Sequence, residues 1–219
     1  MTRARELEKA RRRMVERQIR DRGVVDGRVL KAMFEVARHE FVPVELLDEA
    51  YEDGPLPIGH GQTISQPYIV AWMSELLRVE PSLSVLEVGS GCGYQTAVLC
   101  RLARHVYAME RIEPLAEQAR INLVRAGADN FTLRVGDGTL GWPEHAPFQR
   151  ILVAAAAERL PVKLVEQLAP GGRMVLPMGS HSLQEMTVVE RDRTGAVRVV
   201  SHGPVRFVPL IEDNSGNEL

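Results

Sequence analysis

The sequence predicts an α/β fold in which a doubly wound, mostly parallel sheet carries helices on both faces. Short apolar runs alternate with helix-length segments from about residue 83 onward, and this alternation is typical of βαβ units. The run containing Val85, Leu86 and Val88 has almost no polar side, as expected of a strand buried on both faces. It leads directly into a turn with glycine at every second position. We therefore expect a ligand site where this strand ends.

The N-terminal third precedes this pattern. Helices are predicted over residues 3–22 and 26–37, and a glycine- and proline-rich irregular stretch over residues 48–66. Pro67 suits the first position of the helix that follows, because a proline there loses no helical hydrogen bond. These observations predict an N-terminal helical extension ahead of the sheet.

The alternating elements follow in order. Strands and helices are predicted at residues 83–88, 94–103, 105–109, 112–126, 131–135, 149–154, 161–168 and 172–177. Two further strands, 184–190 and 196–208, are predicted to form an antiparallel C-terminal edge. We divide the chain into residues 1–66, with the N-terminal helices and a substrate and cofactor loop, and residues 67–219, one compact sheet domain.

The glycine turn indicates the kind of ligand. Its glycines let the backbone approach a ligand closely, and the helix from Tyr94 presents free N–H groups at its start. The spacing G-x-G-x-G from Gly89 differs from the dinucleotide pattern G-x-G-x-x-G. With Glu87 ahead of it, E-x-G-x-G-x-G resembles the first motif of class I S-adenosylmethionine-dependent methyltransferases, which have a Rossmann-like fold. An ordinary strand-to-helix turn is the alternative interpretation.

Two further strand ends carry carboxylates. Glu110 ends the second strand about 20 residues after Gly89, where an acidic side chain can accept hydrogen bonds from both ribose hydroxyls. Asp137 and Gly138 follow the third strand, where a carboxylate can accept from an adenine amino group. A solvated helix start and a plain turn are the alternatives. The three strand ends together favour an adenosylmethionine site.

Composition excludes several other classes. The 27 basic and 29 acidic residues nearly balance, so no global charge excess indicates nucleic acid. The arginine-rich first 22 residues are interpreted as the solvated face of an amphipathic helix. No long apolar run indicates secretion or membrane spanning, and the two cysteines match neither a disulfide framework nor a zinc site. We expect a cytoplasmic monomer without a metal.

The residues ahead of the sheet extend the resemblance. Residues 61–67 read G-Q-T-I-S-Q-P and residues 205–210 read V-R-F-V-P-L. With the glycine turn and Gly136-Asp137-Gly138, they closely resemble the protein-L-isoaspartate (D-aspartate) O-methyltransferase family, in the family's order over roughly residues 20–211. Cys92, Gln149 and the alanines at 154–157 depart from the usual family pattern.

The resemblance implies an activity and a site. Family members transfer a methyl group from S-adenosylmethionine to the free carboxylate of L-isoaspartyl and D-aspartyl residues in damaged proteins, leaving S-adenosylhomocysteine and starting repair through a succinimide. Ser65 would orient the substrate carboxylate, and Val208, Pro209 and Leu210 would line the peptide groove. The implied cofactor residues are Gln62, Thr63, Ile64, Gly89, Gly91, Glu110, Asp137 and Gly138.

Three alternatives remain at this stage. Ser65 can instead be only the N-cap of the helix that begins at Pro67. A nucleic-acid amino-methyltransferase is disfavoured, because residues 153–157 read V-A-A-A-A and lack a polar and aromatic grip for a flipped base. A non-catalytic adenosylmethionine-binding protein would be expected to have a degraded loop at residues 62–67, which is intact.

Overall fold

The computed structural model describes residues 2–212. The α-helices in this range are α1 (Arg3–Arg13), α2 (Gly27–Glu35), α3 (Pro67–Leu77), α4 (Tyr94–Cys100), α5 (Glu113–Arg125) and α6 (Val162–Glu166). The strands are β1 (Leu56–Gly59), β2 (Gln62–Ile64), β3 (Ser84–Val88), β4 (His105–Glu110), β5 (Phe131–Val135), β6 (Phe148–Val153), β7 (Leu168–Ser180), β8 (Leu183–Arg191) and β9 (Val197–Val205). Within this range, no helix has the length and apolar character needed to cross a membrane.

The main sheet has seven strands in the order β5-β4-β3-β6-β7-β8-β9. The first five of these are parallel, while β8 runs antiparallel to both β7 and β9. This arrangement confirms the predicted mostly parallel sheet and its antiparallel C-terminal edge. The strand β7 begins earlier than predicted, and a register irregularity lies between β6 and β7 near Phe148.

Apolar side chains on neighbouring positions of one strand enter different cores, because successive residues point to opposite faces of a sheet. On β3, Val85 belongs to the core that also contains residues of α2 to α5, whereas Leu86 and Val88 belong to a second core with Trp142 and Leu164. Both faces are therefore covered. This explains why the strand has no face that is polar and exposed to solvent.

The N-terminal segment is helical as predicted, but it is not one continuous α-helix. After α1, a π-helical turn covers Met14–Ile19, and a 3-10 turn covers Arg20–Arg22. No residue of α1 is buried, whereas Met14 and Ile19 are fully buried in the first core. A π turn shifts the helix face by one residue, and here it accompanies the change from an exposed helix to one that packs on the protein.

A small hairpin replaces the irregular stretch predicted before α3. Strands β1 and β2 pair antiparallel around His60 and Gly61, which both have positive φ angles of 53° and 69°. Two consecutive residues with positive φ define the turn that joins tightly twisted hairpin strands. The hairpin fixes Ile64, which is buried, and brings the next residues to the start of α3.

Candidate active site

A cavity opens at the carboxyl ends of the parallel strands. Val88 at the end of β3 lies opposite Met109 of β4 and Val153 of β6, so the segments that follow these strands meet at one edge of the sheet. The cavity is lined by every predicted site residue except one: Gln62, Thr63, Ile64, Ser65, Gly89, Gly91, Glu110, Gly138, Val208, Pro209 and Leu210. Asp137 is the exception. Residues separated by up to 148 positions in sequence thus share one site.

The glycine turn is fixed to the neighbouring strand. The N–H groups of Gly89 and Ser90 both donate to the carbonyl oxygen of Met109, at 2.8 and 3.0 Å. Gly89, Gly91 and Gly93 have φ angles of 87°, 54° and 89°, which side chains other than glycine rarely adopt. The sequence therefore needs glycine at these positions for backbone conformation as well as for closeness to a ligand.

Glu110 holds the same turn from the tip of β4. Its Oε2 accepts a hydrogen bond from the Gly91 N–H at 2.8 Å, and its Oε1 accepts from the Ile112 N–H at 3.0 Å. The side chain is 7% exposed and lines the cavity. Each carboxylate oxygen has two lone pairs, so both can still accept a hydrogen bond from a ligand hydroxyl.

The third strand end combines a turn and a close backbone approach. Oδ1 of Asp137 accepts from the N–H and the hydroxyl of Thr139, at 2.8 and 2.7 Å. A Cβ built on Gly138 would lie 2.3 Å from Cγ1 of Val88, so only glycine fits against the end of β3. Gly138 lines the cavity, whereas the contact of Asp137 with a cofactor stays a prediction.

The structure separates the two interpretations of Ser65. Gln66, not Ser65, is the N-cap residue of α3, and no side-chain hydrogen bond caps this helix. The Ser65 side chain lines the cavity, and its hydroxyl has no hydrogen-bond partner within residues 2–212. The helix-cap alternative is therefore wrong, because the required bond is not made. The hydroxyl remains available to a ligand.

Residues 208–210 form another wall of the cavity, and the alanine loop after β6 holds them through hydrogen bonds. The Ala156 N–H donates to the Val208 carbonyl at 2.8 Å, and the Leu210 N–H donates to the Ala156 carbonyl at 2.8 Å. Strand β9 ends at Val205, earlier than the predicted residue 208. The two hydrogen bonds to Ala156 place the residues that follow β9 beside the cavity. The small side chains at residues 154–157 allow this close pairing. Their departure from the family pattern thus leaves the wall in place.

Several lining residues were not predicted from the sequence. They are Val70, Val88, Ser90, Cys92, Tyr94, Gln95, Met109, Arg111, Ile112, Gly136, Ala154, Ala155 and Ile211. Arg111 and Ile112 directly follow Glu110, so the strand-end rule that selected Glu110 also indicates them. The sequence carries no comparable signal for Val70 and Gln95, which project from helices.

A fully buried carboxyl group lies beneath the turn. Both oxygens of Glu87, the Ser90 hydroxyl and the Thr96 hydroxyl are buried and have no hydrogen-bond partner among the described residues. Burial raises the pKa of Glu87 to about 8, although the neighbouring Thr96 side chain lowers it, and the charge of Glu110 adds a smaller increase. Burial also raises the pKa of the Cys92 thiol to about 11. Glu87 and Cys92 are therefore largely neutral at pH 7.

The donor set fits an adenosine cofactor better than a metal. Within residues 2–212, no group of three His, Cys, Asp or Glu side chains could hold a metal ion. The cavity instead combines a glycine turn, where a Cβ on Gly91 would come within 3.3 Å of Ile58, with the carboxylate of Glu110. Close backbone approach and a carboxylate at the next strand end suit a ribose-bearing ligand. Sheet and site together define a Rossmann-like, class I methyltransferase.

Comparison with known proteins identifies the family. The family described as protein-L-isoaspartate(D-aspartate) O-methyltransferase (PCMT) matches residues 9–215. The chain is 56% identical over 187 residues to protein-L-isoaspartate O-methyltransferase 2 of a Polaromonas species, covering 85% of this chain and 89% of the relative. It is 53% identical over 201 residues to the protein-L-isoaspartate O-methyltransferase of Methanoregula boonei, covering 92% of each. The chain belongs to the protein-L-isoaspartate(D-aspartate) O-methyltransferase family, as its motifs predicted.

A solved structure agrees with this assignment. The crystal structure of a putative protein-L-isoaspartate O-methyltransferase of Plasmodium falciparum, in complex with S-adenosyl-L-homocysteine, superposes with a TM-score of 0.81. The two chains are 26% identical, and the match covers 93% of this chain and 99% of the other. The predicted fold class is confirmed by this similarity and by the sheet order.

The buried Glu87 gives a prediction about stability and pH. Its pKa is 4.5 when exposed and about 8 in the fold, so between these values the folded protein binds more protons than the unfolded chain. The free energy of unfolding therefore falls as pH rises through this window. Glu87→Gln should remove that loss. The melting temperature of the variant minus that of the wild type should therefore be larger at about pH 8.5 than at about pH 5.

Differential scanning calorimetry at the two pH values measures the effect. Glu117→Gln is the matched control, since Glu117 is 66% exposed on α5. A pH dependence of the same size in the wild type and in Glu87→Gln would contradict the assignment to Glu87.

Proposed function

We propose that this chain moves the methyl group of S-adenosylmethionine to the free carboxylate of L-isoaspartyl and D-aspartyl residues in damaged proteins. One observation carries the proposal: a single cavity is lined both by the glycine turn with Glu110 and by Ser65 with residues 208–210. The first group suits a cofactor and the second a peptide. Family membership supplies the reaction that joins them.

The cofactor would lie along the strand ends. Gly89 and Gly91 would face its methionine part, Glu110 would accept from its ribose hydroxyls, and Gly138 would admit the flat adenine, with Asp137 beside it. Gln62, Thr63 and Ile64 of the hairpin would close over it. S-adenosylmethionine, when bound, supplies an electrophilic methyl group, and S-adenosylhomocysteine is the product.

The chemistry needs positioning more than activation. A carboxylate with a pKa of about 4 is already ionised at neutral pH, so the nucleophile requires no general base. The lining agrees with this requirement, because the Cys92 thiol stays protonated and Glu87 lies buried beneath the turn. The protein therefore accelerates the reaction mainly by holding the reacting groups in line.

Ser65 is the side chain proposed to orient the substrate. Its free hydroxyl donates one hydrogen bond to the substrate carboxylate, which fixes the direction of attack without withdrawing much charge. Val208, Pro209 and Leu210 form the facing wall of the peptide groove. After transfer, the following backbone nitrogen attacks the ester carbonyl and methanol leaves, which a free carboxylate would not allow because it has no comparable leaving group. The resulting succinimide takes up water, and part of it returns to L-aspartate.

The remaining expectations are part of the same proposal. The chain acts as a cytoplasmic monomer on isoaspartyl peptides and proteins, without a metal and without binding nucleic acid or membranes. Residues 1–66 and 67–219 work as one unit, since Met14 and Ile19 pack in the same core as α4 and α5. This packing supports a joint role for the two parts.

The first test is substrate selectivity. An isoaspartyl peptide should be methylated, whereas its aspartyl twin of the same sequence should not, because the normal carboxylate is displaced by one methylene from the main chain. A reaction that depends on the alignment of the reacting groups slows sharply when one of them is displaced by this distance. Transfer of labelled methyl to both peptides, at matched concentrations, measures the ratio. Equal rates would reduce the assignment to a general carboxyl methyltransferase.

The second test concerns Ser65. Because this residue caps no helix, Ser65→Ala should leave the melting temperature nearly unchanged. Turnover of the isoaspartyl peptide should fall about tenfold or more, equivalent to about 1–3 kcal/mol of transition-state positioning. Steady-state kinetics and calorimetry on one preparation give both numbers. A variant that turns over normally would remove Ser65 from the site.

The third test concerns Glu110. Glu110→Gln removes the charge and keeps only one acceptor oxygen, because its NH2 group cannot accept from the backbone N–H that it faces. It should therefore weaken binding of S-adenosylhomocysteine by about 1–3 kcal/mol. Isothermal titration calorimetry measures the dissociation constant. Glu113→Gln, at the exposed start of α5, serves as the control. Unchanged affinity in Glu110→Gln would exclude the ribose contact.

A further inference from the structure

The loop that carries Ser65 is tied to the N-terminal segment through one carboxylate. Asp53 Oδ1 accepts from Nε2 of Gln66 at 2.8 Å, and the Asp53 carbonyl accepts from the same nitrogen at 3.2 Å. Nη1 of Arg22 donates to both oxygens of Asp53, at 3.2 and 3.1 Å. Gln66 directly follows Ser65. Asp53 thus connects Arg22 to the residue beside the proposed substrate contact.

Arg22 also contacts the first turn of α3. Its guanidinium carbon lies 3.8 Å from the centre of the Tyr68 ring, and Tyr68 stacks on Trp72 with ring centres 5.8 Å apart. A guanidinium over an aromatic face is an attractive contact. Arg22 therefore contacts α3 through Tyr68 and the preceding loop through Asp53.

A second attachment lies about two helical turns further along α3. Oε1 of Glu75 accepts from the N–H groups of Val25 and Asp26, both at 2.7 Å. These backbone groups precede α2, so they belong to the same N-terminal segment as Arg22. Two attachments about two turns apart fix the orientation of α3 relative to this segment, whereas one would leave it free to pivot.

We propose that Asp53 is a positioning residue for methyl transfer, and that the N-terminal segment serves, through Arg22, Asp53 and Gln66, to hold Ser65 in its catalytic position. This inference rests on the proposed role of Ser65 described above. Ser65 cannot be positioned by its own side chain, because its hydroxyl bonds to no described residue. Its direction is set by the backbone between Ile64, buried at the end of β2, and Gln66, which Asp53 binds.

The geometry predicts a kinetic effect larger than the effect on stability. The side chains of Arg22 and Asp53 are 41% and 46% exposed, and exposed ion pairs contribute little to folding. The same contacts act on one loop, where a small displacement changes how well a substrate carboxylate is aligned. Salt should weaken the Arg22–Asp53 pair, because exposed charges are screened.

The test compares Asp53→Ala with a matched control. Asp21→Ala removes a carboxylate of similar exposure, 50%, which also pairs with an arginine, Arg17, at 3.2 Å but makes no hydrogen bond or ion pair with residues 53–66 within the described range. In Asp53→Ala, the peptide KM should rise about three- to fivefold or kcat fall by the same factor, the range that follows from an exposed pair of up to about 1 kcal/mol. S-adenosylhomocysteine affinity should stay within about twofold. Asp21→Ala should match the wild type.

A double-mutant cycle with Ser65→Ala shows whether Asp53 acts through Ser65. If it does, Asp53→Ala should reduce kcat/KM less in the Ser65→Ala background than in the wild type, because coupled residues are not additive. Gln66→Leu, which keeps the Arg22–Asp53 pair, should reproduce the loss of Asp53→Ala. If Asp53→Ala lowers kcat/KM by the same factor in both backgrounds, the proposal is overturned. It is also overturned if Asp53→Ala has a lower melting temperature but normal kinetics.

The cycle also separates this inference from the proposed function. Full activity of Ser65→Ala would refute the role of Ser65 and, with it, the positioning role of Asp53 that rests on it. Normal kinetics in Asp53→Ala and Gln66→Leu, with an inactive Ser65→Ala, would refute the positioning role and leave the function intact.

Discussion

The attachment of the glycine turn to β4 is the interaction on which the rest of the site depends. The Met109 carbonyl accepts from Gly89 and Ser90, and the Glu110 carboxylate accepts from Gly91. These bonds attach the glycine turn, which follows β3, to the end of the neighbouring parallel strand β4. Hydrogen bonds to a charged acceptor in a poorly hydrated site are stronger than neutral ones. The turn is therefore shaped by the protein before any ligand is bound.

The two buried carboxyl groups near this turn have different environments. Glu110 accepts two backbone N–H bonds and lines the cavity, whereas Glu87 is fully buried and has no partner among the described residues. Glu87 therefore avoids the cost of an isolated buried charge by holding its proton. A neutral Glu87 adds no second negative charge beneath Glu110.

The sequence predicted the parts of the fold that depend on local pattern. The run from Val85 to Val88 has to be buried on both faces, and positive φ at Gly89 has to be glycine, so strand and turn follow from residue types alone. The hairpin at residues 56–64 was missed, although the Gly61 turn between apolar runs is a recognisable hairpin signal. The prediction treated Gly59 and Gly61 as marks of an irregular loop.

Other features depend on contacts that a sequence does not encode locally. The change from α1 to a π turn follows from how Met14 and Ile19 meet the core. Likewise, Asp137 followed its strand end as predicted, yet its Oδ1 is engaged by Thr139 and the residue does not line the cavity. Strand-end position indicates which side chains come near a site, but not which direction each one takes.

The site also divides by origin into a cradle and two walls. The cradle of glycine turn, Glu110 and Gly138 is built from the ends of adjacent parallel strands, so the sheet order sets its position and the glycines allow its shape. The walls come from outside that pattern: one is the hairpin before α3, and the other is the segment after β9 that pairs with Ala156. The strand ends therefore bring the predicted cofactor residues together, whereas the residues proposed to contact the peptide carboxylate come from the two walls. Because the chemistry needs no base, the protein can devote its contacts to holding those walls in place. The N-terminal segment, which lies outside the sheet and contacts the hairpin side of the site through Asp53, extends the same arrangement.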